Sequence, residues 1–311
     1  MKKISIVVPC YCEEASLPLF YESIEKVSLK LSECCFEFIF IDDGSKDNTL
    51  QIIKDLKIKD QRVEYISFSR NFGKEAAIYA GLQNSKGDYV VVIDADLQHS
   101  PDLIPEMYNL VVNEGYDCVA TRRTNRAGEP FFRSFFAKQF YKFINKVSKV
   151  EFVDGAMDFR FMTRQVVQAI LNVKEYNRFS KGIFEWVGFR RTYIECPNIP
   201  RIAGNSNWSF WGLLLYSLDG IIAFSTVPLA IASFTGLLFC FLAITLICYV
   251  VVKTLLYGDP VAGYPTLICI ILLIGGLQLF CIGILGQYLS KTYLETKERP
   301  IYISKESSIA I

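Results

Sequence analysis

Two stretches near the C-terminal end contain no Asp, Glu, Lys or Arg: residues 228–252, PLAIASFTGLLFCFLAITLICYVVV, and residues 264–289, YPTLICIILLIGGLQLFCIGILGQYL. A helix needs ~20 apolar residues to cross ~30 Å of hydrocarbon, and each stretch exceeds that length. A buried helical hairpin of a soluble core is the competing reading, but runs this long and this free of charge fit a bilayer better. Only KTLLYGDPVAG joins them, whereas Lys291, Lys297, Arg299 and Lys305 follow and many basic residues precede. By the positive-inside rule, the large N-terminal part and the tail are both expected on the cytoplasmic side of an inner or plasma membrane. The opening MKKISIVVPCY has an apolar run too short for a secretory leader.

Residues 1–205 carry nearly all the charge and alternate short apolar runs with helical patterns. Strands are expected at 4–8, 36–41, 63–68, 89–93 and 117–121, with helices near 14–32, 48–58, 74–84 and 101–113. Strands so uniformly apolar, spaced by amphipathic helices, imply an α/β fold with a mostly parallel sheet covered on both faces. Such sheets bind ligands beyond the carboxyl ends of their strands. Each expected strand runs into a polar cluster there: PCYCEE, DDGSKDNT, SRNFGKE, DADLQ and RRTNRAGE. No P-loop is present and GxGxxG is absent after the first strand, which argues against nucleotide triphosphate hydrolysis and dinucleotide redox chemistry. A net charge of +1 argues against a dedicated nucleic-acid binder.

Asp94 and Asp96 flank Ala95 at the end of the fourth expected strand. Both carboxylates can reach one hard cation, and Mg²⁺ or Mn²⁺ takes one or two protein carboxylates while phosphate oxygens and water complete the shell. Gln98 could add a neutral oxygen. Acidic pairs at strand ends also serve as helix caps, but Ser100-Pro101-Asp102 already supplies an N-cap, an N1 proline and a first-turn acid. Asp42 and Asp43 read equally as a turn with a following cap or as partners of a nucleotide base or ribose. His99, the single histidine, is read as a structural hydrogen-bonding residue. The ten cysteines are read as thiols, with Cys240, Cys248, Cys269 and Cys281 packing as small hydrophobes.

Taken in order, PCYCEE, IDDGSKDNT, SRNFGKEAAIYAGL, DADLQHSPD, RRTNRAGEP, DGAMDFRFM, KGIFEWVGF and RIAGNS resemble the motifs of inverting GT-A glycosyltransferases of family 2. The chain is similar throughout to the polyprenyl-phosphate sugar transferases of that family, including the two C-terminal membrane helices. The resemblance implies a GT-A nucleotide-sugar-binding fold and transfer of a sugar from a nucleotide sugar, UDP-linked favoured, to polyprenyl phosphate. It places Pro9, Tyr11, Glu13 and Asp42 on the nucleoside, and Asp94, Asp96 and Gln98 on a Mg²⁺ or Mn²⁺ ion that binds the diphosphate. Arg123, Arg126 and Arg133 resemble the arginines that receive the acceptor phosphate in that family, and the alternative for that run is a solvated basic face. The resemblance also implies that Asp158 and Arg160 stand beside the reacting groups and that Arg201 opens the loop that clamps the donor diphosphate.

Three positions depart from the family pattern: Cys12 stands for Asn, Ser100 for Pro and Asn207 for Lys. The last removes a positive charge from the expected clamp. Residues 131–149 and 207–224, the latter with Trp208, Trp211 and Tyr216, suit interfacial helices against a bilayer. The expected organisation is a catalytic domain over 1–205, an interfacial linker over 206–227, two spans over 228–290 and a cytoplasmic tail over 291–311. Gly275, Gly276, Gly283 and Gly286 permit close helix packing, within the hairpin or in a homo-oligomer. A processive polysaccharide synthase lacks support, because Q-x-x-R-W is absent and the expected spans are few. A non-catalytic scaffold or flippase partner is the reading opposed by intact Asp94, Asp96, Arg160 and Arg201.

Overall fold

The computed structural model describes residues 1–124, 150–197, 220–257 and 263–309, with seven further positions between 139 and 148. Arg126, Arg133, Arg201, Asn207, Trp208, Trp211, Tyr216 and most of 131–149 lie outside the described residues.

The elements run β1 (Lys2–Cys10), α1 (Leu17–Lys30), β2 (Cys34–Asp42), α2 (Thr49–Lys59), β3 (Val63–Phe68), α3 (Lys74–Asn84), β4 (Tyr89–Val92), α4 (Ile104–Val112) and β5 (Cys118–Arg123). They continue with β6 (Ala156–Thr163), α5 (Arg164–Asn172), α6 (Ser180–Trp186), β7 (Arg191–Cys196), α7 (Val227–Tyr257), α8 (Tyr264–Thr296) and β8 (Ser304–Ser307). One eight-stranded sheet has the order β7-β5-β6-β4-β1-β2-β3-β8. Strand β6 lies antiparallel to β4 and β5, and β8 antiparallel to β3; the other pairs are parallel. The sheet is therefore mixed, and the tail expected as a separate segment supplies its outermost strand.

The alternation of side chains along each strand makes two cores. Ile4, Ile6 and Val8 of β1 pack with Phe20 and Ile24 of α1 and with Ile104 and Met107 of α4. Val7 faces the other way, onto Ile78 and Leu82 of α3 and beside Val166 and Ile170 of α5. Each such fully buried side chain contributes about 1.5–3 kcal/mol. Helix α3 approaches β1 at Gly81, where a Cβ would stand 2.1 Å from Cγ1 of Val7. Any side chain there would push the helix off the sheet.

At the opposite edge from the polar clusters, buried Glu37 ties three segments together. It accepts from Oγ of Ser5 at 2.5 Å and from the Lys86 backbone N–H at 2.7 Å, and it pairs with Lys3. Burial alone would raise its pKa, but these partners outweigh burial and hold the group below the ordinary glutamate value.

The two apolar stretches form α7 and α8, and 227–246 and 273–296 are long and apolar enough to cross a membrane. Many of their described apolar side chains stand largely uncovered by protein: Phe234 and Leu279 are each 72% exposed. A continuous apolar surface of this extent calls for a non-aqueous neighbour. Tyr288 Oη donates to the Ser225 carbonyl at 2.6 Å, which pins α8 to the entrance of α7.

Glu37→Ala is expected to lower stability by about 2–3 kcal/mol at neutral pH, because it strips partners from buried donors. A depressed carboxylate pKa contributes stability that is complete above the unfolded value of ~4.3 and is lost as pH falls through the folded value. Thermal unfolding of wild type and variant should therefore differ at pH 7, and the gap should narrow as pH falls below the unfolded value of ~4.3.

Candidate active site

The polar clusters meet at the carboxyl ends of β1, β2, β3 and β4. Two loops are laced together there. The Cys12 N–H donates to Ser45 Oγ at 3.0 Å, the Glu13 N–H to Thr49 Oγ1 at 2.8 Å, and the Asn48 N–H to Glu14 Oε2 at 3.0 Å. This knits the segment after β1, at Cys12, Glu13 and Glu14, to the turn before α2 and the first residue of that helix. Cys12 holds the left-handed conformation, φ 57°, which asparagine tolerates better than cysteine.

Asp42 is 1% exposed. Its Oδ1 accepts from the Ser45 N–H at 3.1 Å and its Oδ2 from Ser67 Oγ at 2.7 Å. The carboxylate is thus buried and engaged by the turn after β2 and by β3. Asp43 accepts from the Phe72 and Gly73 N–H groups at 2.6 and 2.9 Å, and burial pushes its pKa up to about 6. Gly44 follows at φ 68°, where a Cβ would lie 2.6 Å from the Arg70 carbonyl carbon. Only glycine lets the loops after β2 and β3 approach so closely.

On the other side of the site, β6 runs antiparallel to β4 with Val92 opposite Arg160. Continuing that register sets Asp158 opposite Asp94. Two facing carboxylates at a sheet edge repel, and the structure resolves the conflict with a cation. Lys74 Nζ lies 2.8 Å from Asp94 Oδ2 and 2.6 Å from Asp158 Oδ2. Crowding by protein would discharge Lys74, but Asp158 and Asp94 outweigh it and hold the ammonium well above its ordinary range. Burial likewise opposes the Asp158 carboxylate, yet Lys74, Lys181 and Arg160 hold it well below the usual carboxylate range.

Lys74 was not among the residues singled out from the sequence. It is the first residue of α3, where the positive end of the helix dipole disfavours a cation. That misfit is the one signal in the sequence that it answers to something outside its own helix. Its neighbour Glu75 is equally informative: it accepts from the Ser180 N–H at 2.9 Å and from the Ser180 hydroxyl, joining α3 to α6. Burial raises its pKa.

Arg160, read from the sequence as a catalytic residue, is 0% exposed. Its guanidinium donates to Glu185 Oε1 at 3.4 Å from both terminal nitrogens and lies over the Phe184 ring. Glu185 also receives Arg191 at 2.7 Å and the Tyr193 hydroxyl at 3.0 Å. The side chain is thus set behind the reacting edge. Its Nε has no hydrogen-bond partner, and the side chain borders a cavity of about 20 Å³ lined also by Phe152 and Lys181. That is room for about one water.

Asp96 is 5% exposed and accepts from the Gln98 N–H at 3.1 Å, across Leu97 at φ 57°. Ser100 caps the turn that follows by accepting from the Asp102 N–H, which leaves Asp94 and Asp96 outside the capping duty. His99 packs 5.9 Å from the Phe159 ring, and burial lowers its pKa. Arg123 ends β5, its N–H bonded to the Gly155 carbonyl at 3.0 Å beside β6. Among the described residues no group of three or more His, Cys, Asp or Glu converges on one point. An oxygen-only pair of carboxylates with one adjacent amide suits a hard ion that draws the rest of its shell from a phosphorylated substrate, and it does not suit zinc.

Residues 5–171 match the family described as Glycosyl transferase family 2. The chain belongs to that family. It is 46% identical over 98% of its length to the putative glycosyltransferase CsbB of Bacillus subtilis, covering 92% of that protein. It is 40% identical to a prophage bactoprenol glucosyl transferase homolog of Escherichia coli, with 97% of this chain and 98% of the relative covered. The bactoprenol glucosyl transferase of Shigella phage SfII is also 40% identical, with 98% of both chains covered. Membership in the family accounts for the α/β GT-A fold with polar clusters gathered along one sheet edge.

Cys12→Asn should relieve the left-handed strain and stabilise the protein by about 0.5–1 kcal/mol. A rise in the thermal midpoint of the full chain in detergent checks this; a fall would mean that the thiol makes a compensating contact.

Proposed function

We propose that this protein is a membrane-bound inverting glycosyltransferase that moves a sugar from a nucleotide sugar, UDP-linked favoured, to polyprenyl phosphate. The observation that carries the reading is end-to-end similarity, spans included, to proteins named bactoprenol glucosyl transferase. The exposed apolar hairpin beside a polar strand-end site supports it, since a polyprenyl tail stays in the bilayer while its phosphate meets water. The pairing of β8 with β3 supports a tail and catalytic sheet on the same side of the two spans, and the charge bias favours the cytoplasm for that side.

In the proposed reaction an oxygen of the acceptor phosphate attacks the anomeric carbon, and the bond from that carbon to the nucleoside diphosphate breaks. A phosphate monoester has a second pKa near ~6, so the nucleophile is already anionic at neutral pH. Placement therefore matters more than a strong base. Pro9, Tyr11 and Glu13 line the nucleoside end, with Asp42 fixing the turn beneath them. Asp94 and Asp96, with Gln98 adjacent, would hold Mg²⁺ or Mn²⁺, which when bound supplies positive charge to the leaving diphosphate.

Asp158, kept ionised by Lys74, orients the sugar or acceptor by accepting hydrogen bonds. Arg160 positions Asp158 from behind through its charge. Arg123 contributes to the acceptor phosphate together with Arg126 and Arg133, and Arg201 holds the donor diphosphate through forked hydrogen bonds.

Full-length protein in detergent, given polyprenyl phosphate, Mg²⁺ or Mn²⁺ and a panel of UDP- and GDP-sugars, should yield a lipid-linked monosaccharide. A chelator should stop the reaction, and Asp96→Ala should reduce it at least about a hundredfold while leaving the thermal midpoint nearly unchanged. Absence of product with every donor would overturn the reading, and so would full activity of Asp96→Ala for the metal assignment. A lengthening glycan product would favour a processive synthase.

A further inference from the structure

Strand β8 is four polar residues, SKES, with little of its own to bury, yet it holds the outer edge of the sheet beside β3. Ile66 faces Ser307, Ser67 faces Glu306 and Phe68 faces Ser304, with an irregularity between Ser67 and Phe68. The contact continues past the strand: the Ser69 N–H donates to the Ile303 carbonyl at 2.9 Å. The Tyr302 ring stacks on Phe68 at 4.9 Å and 22°, and Phe68 meets Phe72 edge-on at 5.8 Å and 87°. Phe72 packs with Ile301, Tyr302 and Ile309 against the cluster of Ile66, Phe68, Ala76 and Ala77.

Those contacts grip the loop that leads to Lys74. On its inner side the loop is held by Asp43, which takes the N–H groups of Phe72 and Gly73. On its outer side it is held by the tail. Lys74 follows directly, with its ammonium between Asp94 and Asp158. The tail itself leaves α8 at Thr296, five residues before Ile301. At that same helix end, Glu295 accepts from the Tyr176 and Asn177 N–H groups at 2.9 and 3.3 Å. The end of the second apolar helix is therefore tied to the site by a short, well-bonded path.

We propose that the C-terminal tail is a positioning element for sugar transfer, in which Tyr302, through Phe68 and Phe72, sets the loop 69–73 so that Lys74 stands between Asp94 and Asp158. The proposal rests on the glycosyltransferase reading above. Tyr302 touches neither substrate nor the carboxylates. Its effect is on placement, and a displacement of about 1 Å at a reacting centre can cost on the order of a hundredfold in rate. The nucleoside end is set separately, by Ser45 and Ser67 on Asp42.

The test is steady-state kinetics of full-length wild type, Tyr302→Ala and Tyr302→Phe in nanodiscs, with thermal unfolding of each and hydrogen exchange at the amides of 69–73. Tyr302→Ala should lower kcat about ten- to a hundredfold with the donor KM changed less than about twofold. Tyr302→Phe keeps the stack on Phe68, loses only the hydroxyl contacts with Gln83 and Asn84, and should restore kcat. A folded Tyr302→Ala enzyme with wild-type kcat would overturn the proposal, as would a Phe variant as slow as the Ala variant. Wild type that transfers no sugar would overturn the functional reading instead. In that case the exchange data still decide the proposal: faster exchange at 69–73 in Tyr302→Ala upholds it, and unchanged exchange overturns it.

Discussion

Two carboxylates facing each other across neighbouring strands, Asp94 and Asp158, would push the ends of β4 and β6 apart without the Lys74 ammonium between them. A surface ion pair contributes little because water screens it. Here one cation serves two anions in a partly enclosed edge, and the arrangement sets the charge state of each: Lys74 stays protonated and Asp158 stays ionised. The site consequently offers carboxylate oxygens as acceptors and one fixed positive charge, which suits holding a sugar against phosphate groups better than delivering a proton. Much of the surrounding fold keeps that triad in place. Gly81 lets α3 sit close on β1, and Asp43 and the tail hold the loop before Lys74.

Behind the triad a second ion pair, Arg160 with Glu185, is buried. Arg160 gives its terminal nitrogens to Glu185, which also binds Arg191 and Tyr193. Buried charges need this degree of pairing, since the desolvation cost of an unmatched one is several kcal/mol. The network joins β6, α6 and β7 behind the reacting edge. Arg160 and Asp158 point to the same face of β6, so the order of that network reaches the triad through one strand.

The apolar runs made β1 to β4 and α1 to α4 legible, because a strand buried on both faces leaves an unbroken hydrophobic signature. The two long apolar helices were legible because a helix surrounded by hydrocarbon is apolar all round over about 20 residues. Strand β6 was not, since Asp158 and Arg160 interrupt AMDFRFMT and drew attention as a motif instead of as a strand. Strand β8 was invisible: SKES has no hydrophobic pattern, and its pairing depends on Ile66, Ser67 and Phe68 more than two hundred residues away. Among the site residues, Asp94 and Asp96 stood out by spacing, and the structure sets them at the expected strand end. Lys74 did not, because its partners lie 20 and 84 residues further along. Asp42 was recognisable by position, but its burial and its bond to Ser67 on β3 are not written in any local pattern.

If Lys74 works through Asp158, their contributions to catalysis cannot be independent. A double-mutant cycle on kcat/KM with Lys74→Met, Asp158→Asn and the combined variant measures this directly. The combined variant should be scarcely slower than the worse single variant, leaving a coupling of about 1–3 kcal/mol. Losses that simply add would contradict a shared role for the ammonium and the carboxylate.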